Sequence, residues 1–381
     1  MNLGADVVVI GGGIAGLTAA HHLAPHRQVM VVEAEGQLAH HTTGRSAAQY
    51  LETYGGPVNQ ALTRASRSFF FDPPTDLVDH DLLSPVPFLN VGGPDDEDLV
   101  TEAAAAAAEL VDGVRHVGHD ELLALCPGLR HDAVGSAVLE PDAMDIDVMA
   151  LHQAFVRGAR DHGAAIALGT AVRRLEQSGD AWVVHVDDDR RIEADVVVNA
   201  SGAWGDVVAA HAGVAPLDLR PLRRTAFTTA PSVNTEGWPL VHALEQSRTL
   251  APCYFKPESG GQLLCSLADE TLDEPGDARP AEIDVARAID NINRLTTLGI
   301  RSVRRAWAGL RTFTPDRQPA IGWDRDAAGF FWMVGQGGTG IQTAPAAGAL
   351  AAALITGADP TPADVDAAAV APSRFGRSAQ R

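Results

Sequence analysis

Residues 5–33 restrict the fold more than any other part of the chain: an apolar run, a glycine turn, an alanine-rich segment, and a second apolar run ending in an acid. Val7, Val8, Val9 and Ile10 are continuously apolar, as expected of a parallel strand buried on both faces. Gly11, Gly13 and Gly16 follow at G-x-G-x-x-G spacing. The first permits a tight turn, the second lets backbone approach a pyrophosphate, and the third lets helix and strand pack closely. Ile14 and Ala15 open the helix, whose first N–H groups and positive dipole end point at the phosphates. Glu33 ends the second strand ~20 residues beyond the glycines, placed to accept hydrogen bonds from a ribose. The order of these pieces predicts a dinucleotide site. The negative charge of Glu33 disfavours a 2′-phosphate, which leaves FAD or NAD.

The 381 residues are too many for one small core and predict two domains. Acidic residues number 49 against 29 basic ones, and the net charge of −20 repels nucleic acid and anionic membrane surfaces. No run approaches the ~20 apolar residues of a membrane span, and no charged-then-apolar leader precedes the first strand. Cys126, Cys253 and Cys265 are scattered, without disulfide or zinc spacing. His40-His41 and His116-x-x-His119 lack acids at ligand spacing and read as solvated loop residues, so no metal is predicted. These features together fit a cytoplasmic enzyme.

Beyond Glu33 and Ala34, the loop Thr42, Thr43, Gly44, Arg45, Ser46, followed by Ala47 and Ala48, can lay N–H groups and hydroxyls against a flat polar ligand. Tyr50 and Tyr54 come next, and one of them suits a pocket wall or lid. The run PFLNV around Phe88 predicts the first strand of a second domain, residues 95–110 a helix, 139–147 a return loop and 148–165 an amphipathic helix. A strand over 165–172 and a hairpin of 181–186 with 191–198 resume the first domain. The hairpin runs into Asn199-Ala200-Ser201-Gly202-Ala203-Trp204, small residues that admit a ligand close to backbone. Strands at 224–229, 252–256 and 262–267 with a helix at 283–298 predict an antiparallel sheet with helices. The strand 330–334 leads through Gly337, Gly338, Thr339, Gly340, Ile341 and Gln342 into a small-residue helix over 344–355. That second helix N-terminus suits negative charge developing on the N1–C2=O edge of a reduced flavin, which favours FAD over NAD. The last twenty or so residues predict a frayed tail.

VVVIGGGIAG, HTTGRSAAQY with Tyr54, DIDVMALHQAF, VVNASGAW, RRTAF, WAGLRTFTPD and GGTGIQT occur in one order across nearly the whole chain. In this the sequence resembles the FAD-dependent amine and amino-acid oxidoreductases that include D-amino-acid oxidase, glycine oxidase and sarcosine oxidase, most of all the bacterial D-amino-acid dehydrogenases of the D-arginine type. The resemblance implies an α/β fold in which a Rossmann-type FAD-binding domain (1–82, 143–214 and 312–375) interleaves with an α+β substrate domain built on an antiparallel sheet (83–142 and 215–311), ahead of a flexible tail (376–381). It places non-covalent FAD on Gly11, Gly13, Gly16, Glu33, Ser46, Val172, Gly202 and the loop Gly337–Gly340. Ile14, Ala15, Ala34, Thr43, Gly44, Arg45, Ala48, Ala200, Trp204, Arg311, Ile341 and Gln342 flank those positions in the same motifs. It places a substrate carboxylate on Arg224 and Arg311, Tyr54 on a lid, Tyr254 beside the carboxylate, and Gly338 and Gln342 near the amino group.

The chemistry of an α-amino acid agrees with these roles. An arginine fork binds its carboxylate through charge-assisted hydrogen bonds of roughly 1.5–3 kcal/mol each. Fixing the carboxylate orients Cα–H for hydride transfer to the flavin. Members of the resembled family that take cationic D-amino acids carry an acid where this chain has Phe88, and polar residues where it has Gln49 and Leu51. An apolar pocket leaves a guanidinium unpaired at a cost of several kcal/mol, which predicts neutral, apolar or aromatic substrates. The C-terminal glycine loop has no cysteine for covalent attachment. Leu264 stands where sarcosine oxidases use a lysine toward oxygen, and Lys256 is the only lysine, which favours a dehydrogenase and a separate electron acceptor, quinone or carrier, over O2. A secondary-amine or cyclic amino-acid oxidase of the same fold, a 2-hydroxy-acid dehydrogenase and a non-catalytic flavin protein remain as alternatives.

Overall fold

The computed structural model describes residues 2–187, 190–359 and 365–376, so residues 377–381 of the expected tail lie outside the described residues. The opening apolar run becomes the strand Asn2–Ile10, which pairs in parallel with Val29–Val32 on one side and Arg191–Asn199 on the other. Val8, Val9, Val31 and Val197 are wholly buried, as a sheet covered on both faces requires. The hairpin Ala181–Val186 and Arg191–Asn199 is antiparallel, and Phe330–Val334 pairs in parallel with the end of its second strand. The helix Ile14–Leu23 lies in one apolar cluster with residues of Val148–Asp161 and Ala344–Thr356. Its crossing with Ala344–Thr356 is close. Thr18 Oγ1 donates to the Ala344 carbonyl at 2.9 Å, and a Cβ on Gly348 would come within 2.2 Å of that hydroxyl.

A second sheet carries the order Thr271–Leu272, Arg220–Thr229, Gln262–Ser266, Tyr254–Glu258, Leu240–Ala243, Phe88–Val91, Ala137–Glu140, Arg115–Val117, with Arg305–Phe313 also paired to Arg220–Thr229. Its pairings are antiparallel except that of Phe88–Val91 with Leu240–Ala243. Side chains alternate between its two faces. Phe227, Cys265, Phe255, Val241 and Leu89, all wholly buried, form a core with Ala288, Ile292 and Leu295 of the helix Glu282–Leu295. The register puts Arg224, Arg311, Tyr254, His242, Lys256 and Phe88 on the opposite face. One face of the sheet is an apolar core, and the other gathers the candidate site residues.

Several expectations need correction. Residues 139–147 are not a plain loop: Ala137–Glu140 and Met144–Ile146 are strands on either side of a turn. Met144–Ile146 joins Gln49–Tyr50 and Leu83–Pro85 in a three-stranded sheet that the sequence did not announce, because its strands are only two or three residues long. The stretch 165–172 is two strands, Ala165–Ala167 and Val172–Ser178, separated where Gly169 takes φ 57°. The C-terminal segment is docked over residues 365–376: Val370 is wholly buried and Arg374 Nε donates to Asp316 Oδ2 at 2.7 Å.

Gly16 shows how tightly the opening turn is built, since a Cβ there would lie 1.9 Å from the Gly11 carbonyl oxygen. Gly16→Ala is expected to displace the turn and cost about 1–3 kcal/mol of stability. Thermal unfolding measures this, and an unchanged Tm would contradict the packing.

Candidate active site

The glycine turn, Glu33 and the 42–46 loop form one cradle. The Glu33 carboxylate accepts from Gly12 N at 2.6 Å and from Glu35 N at 2.8 Å, so it is fixed beside the turn. Thr43 Oγ1 accepts from Ile14 N at 3.1 Å and ties the loop to the helix N-terminus. A Cβ on Gly11 would meet the Ala200 carbonyl at 2.5 Å, which brings the small-residue run 199–204 against the turn, with Gly202 at φ 57°. Thr170 N donates to the Glu33 carbonyl at 2.7 Å and sets the start of Val172–Ser178 beside the acid. Arg45 Nη1 donates to the carbonyls of Ala278 and Ala308, and Thr42 Oγ1 to that of Leu310, so this loop also meets the second sheet. Thr42, Arg45, Trp204, Gly309 and Leu310 border one small cavity.

Arg224 and Arg311 come from neighbouring strands, Arg224 opposite Gly309 and Arg311 opposite Leu222. Arg311 Nη2 donates to Tyr54 Oη at 2.5 Å. The guanidinium lies against the C-terminal glycine loop, where a Cβ on Gly338 would fall 1.5 Å from Nη2. Arg311 Nη1 is buried and has no hydrogen-bond partner, so it is a donor aimed into the site. Arg224 Nε donates to the Asp269 carbonyl at 2.7 Å. Burial, and then Arg311, hold Arg224 below its usual range. Burial works against the Arg311 charge too, but Tyr54, Tyr254 and Glu270 outweigh it and the net shift is upward. Arg311 in turn holds the Tyr54 hydroxyl below its usual range against burial.

Tyr50 and Tyr54 have separate roles. Tyr50 is buried, bonded to Glu52 at 2.8 Å and to the Thr63 carbonyl, and serves packing. Tyr54 reaches the arginine. Gln342 does not present a free amide: it is buried and exchanges bonds of 3.3 Å with the backbone of Leu51 while donating to Thr63 Oγ1 at 2.9 Å. It holds the 51–54 loop in place. Gln49 Nε2 donates to the Val86 carbonyl at 3.1 Å, just ahead of Phe88. Phe88, His242 and Tyr254 form a row of rings with centroid separations of 6.2 and 6.3 Å. This row links Phe88 to the arginine pair.

Four residues hold places on this face that the sequence did not reveal, Lys256 among them although it stood out as the only lysine. His242 sits in the ring row, and burial, then Arg224 and Arg311, push it down to about 4, so it is neutral at pH 7. Glu270 accepts a two-point contact from Arg317 at 2.9 and 3.1 Å and lies 3.6 Å from Arg224 and 3.8 Å from Arg311. Lys256, directly opposite Leu264, is buried between Asp145 at 2.6 Å and Glu258 at 2.9 Å. Glu140, opposite Phe88, is buried and accepts from Thr53 Oγ1 at 2.5 Å and Glu52 N at 3.2 Å. None belongs to a local motif; strand register assembles His242, Lys256 and Glu140, and the segment between Gln262–Ser266 and Thr271–Leu272 brings in Glu270. Elsewhere, Glu35 supplies the acid that His40 and His41 lacked in sequence, with ligand atoms within 4.8 Å of one another and Glu35 bonded to His41 at 3.0 Å. Cys126, Cys253 and Cys265 are free and buried in the core behind the second sheet, away from the arginines.

With this geometry in hand, residues 6–354 match the family described as DAO, FAD dependent oxidoreductase, and the chain belongs to that family. The glycine oxidase of Bacillus licheniformis is 27% identical over 369 residues, covering 92% of this chain and 93% of the relative, and that of Bacillus subtilis (strain 168) is 26% identical over 92% of each. Among solved structures, glycine oxidase from Geobacillus kaustophilus superposes with TM-score 0.85 at 21% identity over 98% of this chain and 100% of the other. L-proline dehydrogenase from P. horikoshii does so with TM-score 0.84 at 23% identity over 98% of both. The fold is therefore that of a DAO-type flavoenzyme: a Rossmann-type FAD-binding part interleaved with a substrate part on an antiparallel sheet. No helix among the described residues is long and apolar enough to cross a membrane.

The residues present fit FAD. Gly11 and Gly16 leave no room for a Cβ beside backbone oxygens, the first-turn N–H groups of Ile14–Leu23 lack intrahelical acceptors, and Glu33 is fixed at the end of the second strand. The loop at Gly337 and Gly338 is likewise closed to side chains, by Phe313 at 2.2 Å and by Arg311.

Burial, opposed by the bonds from Thr53 and Glu52, pushes Glu140 up to about 7. The unfolded chain releases this proton near the ordinary value of 4.5, so the native state holds one more proton between about 4.5 and 7. Stability then falls as pH rises through that window, by about 3 kcal/mol in all, and levels off above it. Glu140→Gln should remove this slope, gaining on the wild type more at pH 8 than at pH 5 in denaturant unfolding. Parallel pH profiles would contradict it.

Proposed function

We propose that this flavoenzyme oxidises D-amino acids with neutral, apolar or aromatic side chains to imino acids, acting as a dehydrogenase. The observation that carries this reading is the arginine pair, with an unpartnered guanidinium N–H beside the C-terminal glycine loop. Arg311 and Arg224 would hold the substrate carboxylate, with the Tyr54 and Tyr254 hydroxyls beside it. Both arginines stand on strands, so the anchor is rigid, and an anchored carboxylate restricts Cα to few orientations. The Leu51–Tyr54 loop, fastened underneath by Gln342 and Glu140, would cover the substrate and exclude water. Bound FAD would supply the acceptor for the hydride from Cα. The substrate would bind with its amine neutral, its proton left to solvent before binding, so no strong protein base would be required. The limits 1–82, 143–214 and 312–375 against 83–142 and 215–311 describe the two domains in this reading.

The side-chain end of the site supports neutral substrates. Phe88 is apolar and His242 neutral, while the flanking carboxylates are committed, Asp145 to Lys256 and Glu140 to Thr53. A substrate guanidinium would have to draw Asp145 away from Lys256 or ionise the buried Glu140. Lys256 stays charged but is paired with two carboxylates and offers no free cation toward oxygen, which supports a dehydrogenase that passes electrons to a quinone or carrier.

Two relatives in structure keep a second reading open. One is named an L-proline dehydrogenase and another an iminodiacetate oxidase, so cyclic and secondary amines belong in any substrate panel. His242 places a neutral imidazole on the substrate face, which a 2-hydroxy-acid dehydrogenase would need as a base, so 2-hydroxy acids belong there too. With an artificial acceptor, kcat/KM is expected to be higher for D-leucine and D-phenylalanine than for D-arginine. Arg311→Met should lower it by about 10²–10³ for every substrate. A preference for D-arginine would overturn the neutral pocket, and an active Arg311→Met enzyme would overturn the carboxylate anchor.

A further inference from the structure

Three guanidiniums converge on one carboxylate at the rim of the arginine pair. Glu270 Oε1 is 2.9 Å from Arg317 Nη2, 3.6 Å from Arg224 Nη2 and 3.8 Å from Arg311 Nη1, and its Oε2 accepts from Arg317 Nη1 at 3.1 Å. The contact with Arg317 is made in full. Those with the two site arginines stop short of hydrogen bonds, and Arg311 Nη1 is left without an acceptor.

Both ends of this arrangement stand on constrained backbone. Arg317 takes φ 62°, and its guanidinium lies 3.9 Å from the Phe313 ring centroid. Ala268, two residues ahead of Glu270, takes φ 59°, and Asp269 between them accepts from Thr225 N at 2.8 Å through its side chain and from Arg224 Nε through its carbonyl. Left-handed backbone at residues with a Cβ persists only where the surroundings over-determine it. The backbone fixes where the Glu270 side chain starts, and the two-point contact with Arg317 keeps its carboxylate just outside bonding range of Arg311 and Arg224.

We propose that Glu270 is a tethered internal counter-anion that competes with the substrate carboxylate for Arg224 and Arg311, and that Arg317 sets the strength of this competition by holding it back. This deepens the proposed function and rests on the arginine pair being a carboxylate site. Without substrate, Glu270 offsets two neighbouring positive charges on a buried face. With substrate bound, it remains on Arg317 and repels any second negative charge, so it determines specificity for a single carboxylate.

The test is a double-mutant cycle on the flavin-loaded enzyme, read by calorimetric titration with benzoate, a carboxylate without an amine. Glu270→Gln removes the competitor and should tighten benzoate binding by about tenfold. Arg317→Ala frees Glu270 to move onto the pair and should weaken binding by about threefold to tenfold. In the Glu270→Gln background, Arg317→Ala should have no effect, because nothing is left to tether. If Glu270 merely props the arginines in place, Glu270→Gln weakens binding, and that result overturns the proposal. Equal effects of Arg317→Ala in both backgrounds overturn it as well. Wild-type enzyme that binds no benzoate would overturn the carboxylate site itself, and this inference with it.

Discussion

Two like charges held side by side on a protein face repel each other and resist burial, and this structure holds two guanidiniums, Arg224 and Arg311, in that way. Burial and mutual repulsion depress Arg224, while Tyr54, Tyr254 and Glu270 keep Arg311 charged. Such an arrangement survives only if rigid elements and surrounding acceptors support it. The nine- and ten-residue strands that carry the two arginines are paired along nearly their whole length, and the opposite face of the sheet is a closed apolar core. Much of the substrate half of the molecule can be understood as support for that pair.

The cofactor half answers a different constraint, close approach of backbone to a ligand. Gly11, Gly16 and Gly338 each stand where a Cβ would collide with backbone or with Arg311. The last of these joins the halves, since the C-terminal glycine loop that would face the cofactor also seats the arginine that would hold the substrate. Arg45 and Thr42 make the corresponding join on the other side through carbonyls of the strand Arg305–Phe313. In the proposed function, cofactor and substrate would thereby share one rigid frame, as hydride transfer over a short distance requires.

The sequence disclosed what local spacing encodes. The turn at Gly11–Gly16, the acid at Glu33 and the loop at Gly337–Gly340 are contiguous motifs whose chemistry dictates their residue types, and the cradle was legible from them. Arg224, Arg311 and Tyr54 came from resemblance, and the structure gathers them on one face. Glu270, His242, Lys256 and Glu140 were not legible as site groups, because their meaning lies in partners far away in sequence, such as Lys256 with Asp145, Glu140 opposite Phe88 and Glu270 beside Arg311. The three-stranded sheet was missed for a related reason, its strands being too short to show a period of two. The C-terminal segment read as frayed from its Ala and Pro content, but Val370 and Arg374 dock it through contacts that composition does not reveal.

The central claim is that a carboxylate held by Arg224 and Arg311 orients the substrate for hydride loss. Anaerobic stopped-flow reduction of the bound flavin by D-leucine, set against D-leucinamide, tests it by removing the carboxylate from the substrate while leaving the protein intact. The account predicts rapid bleaching of the flavin by D-leucine and a rate lower by about 10² or more for the amide. Equal rates for the two would contradict it.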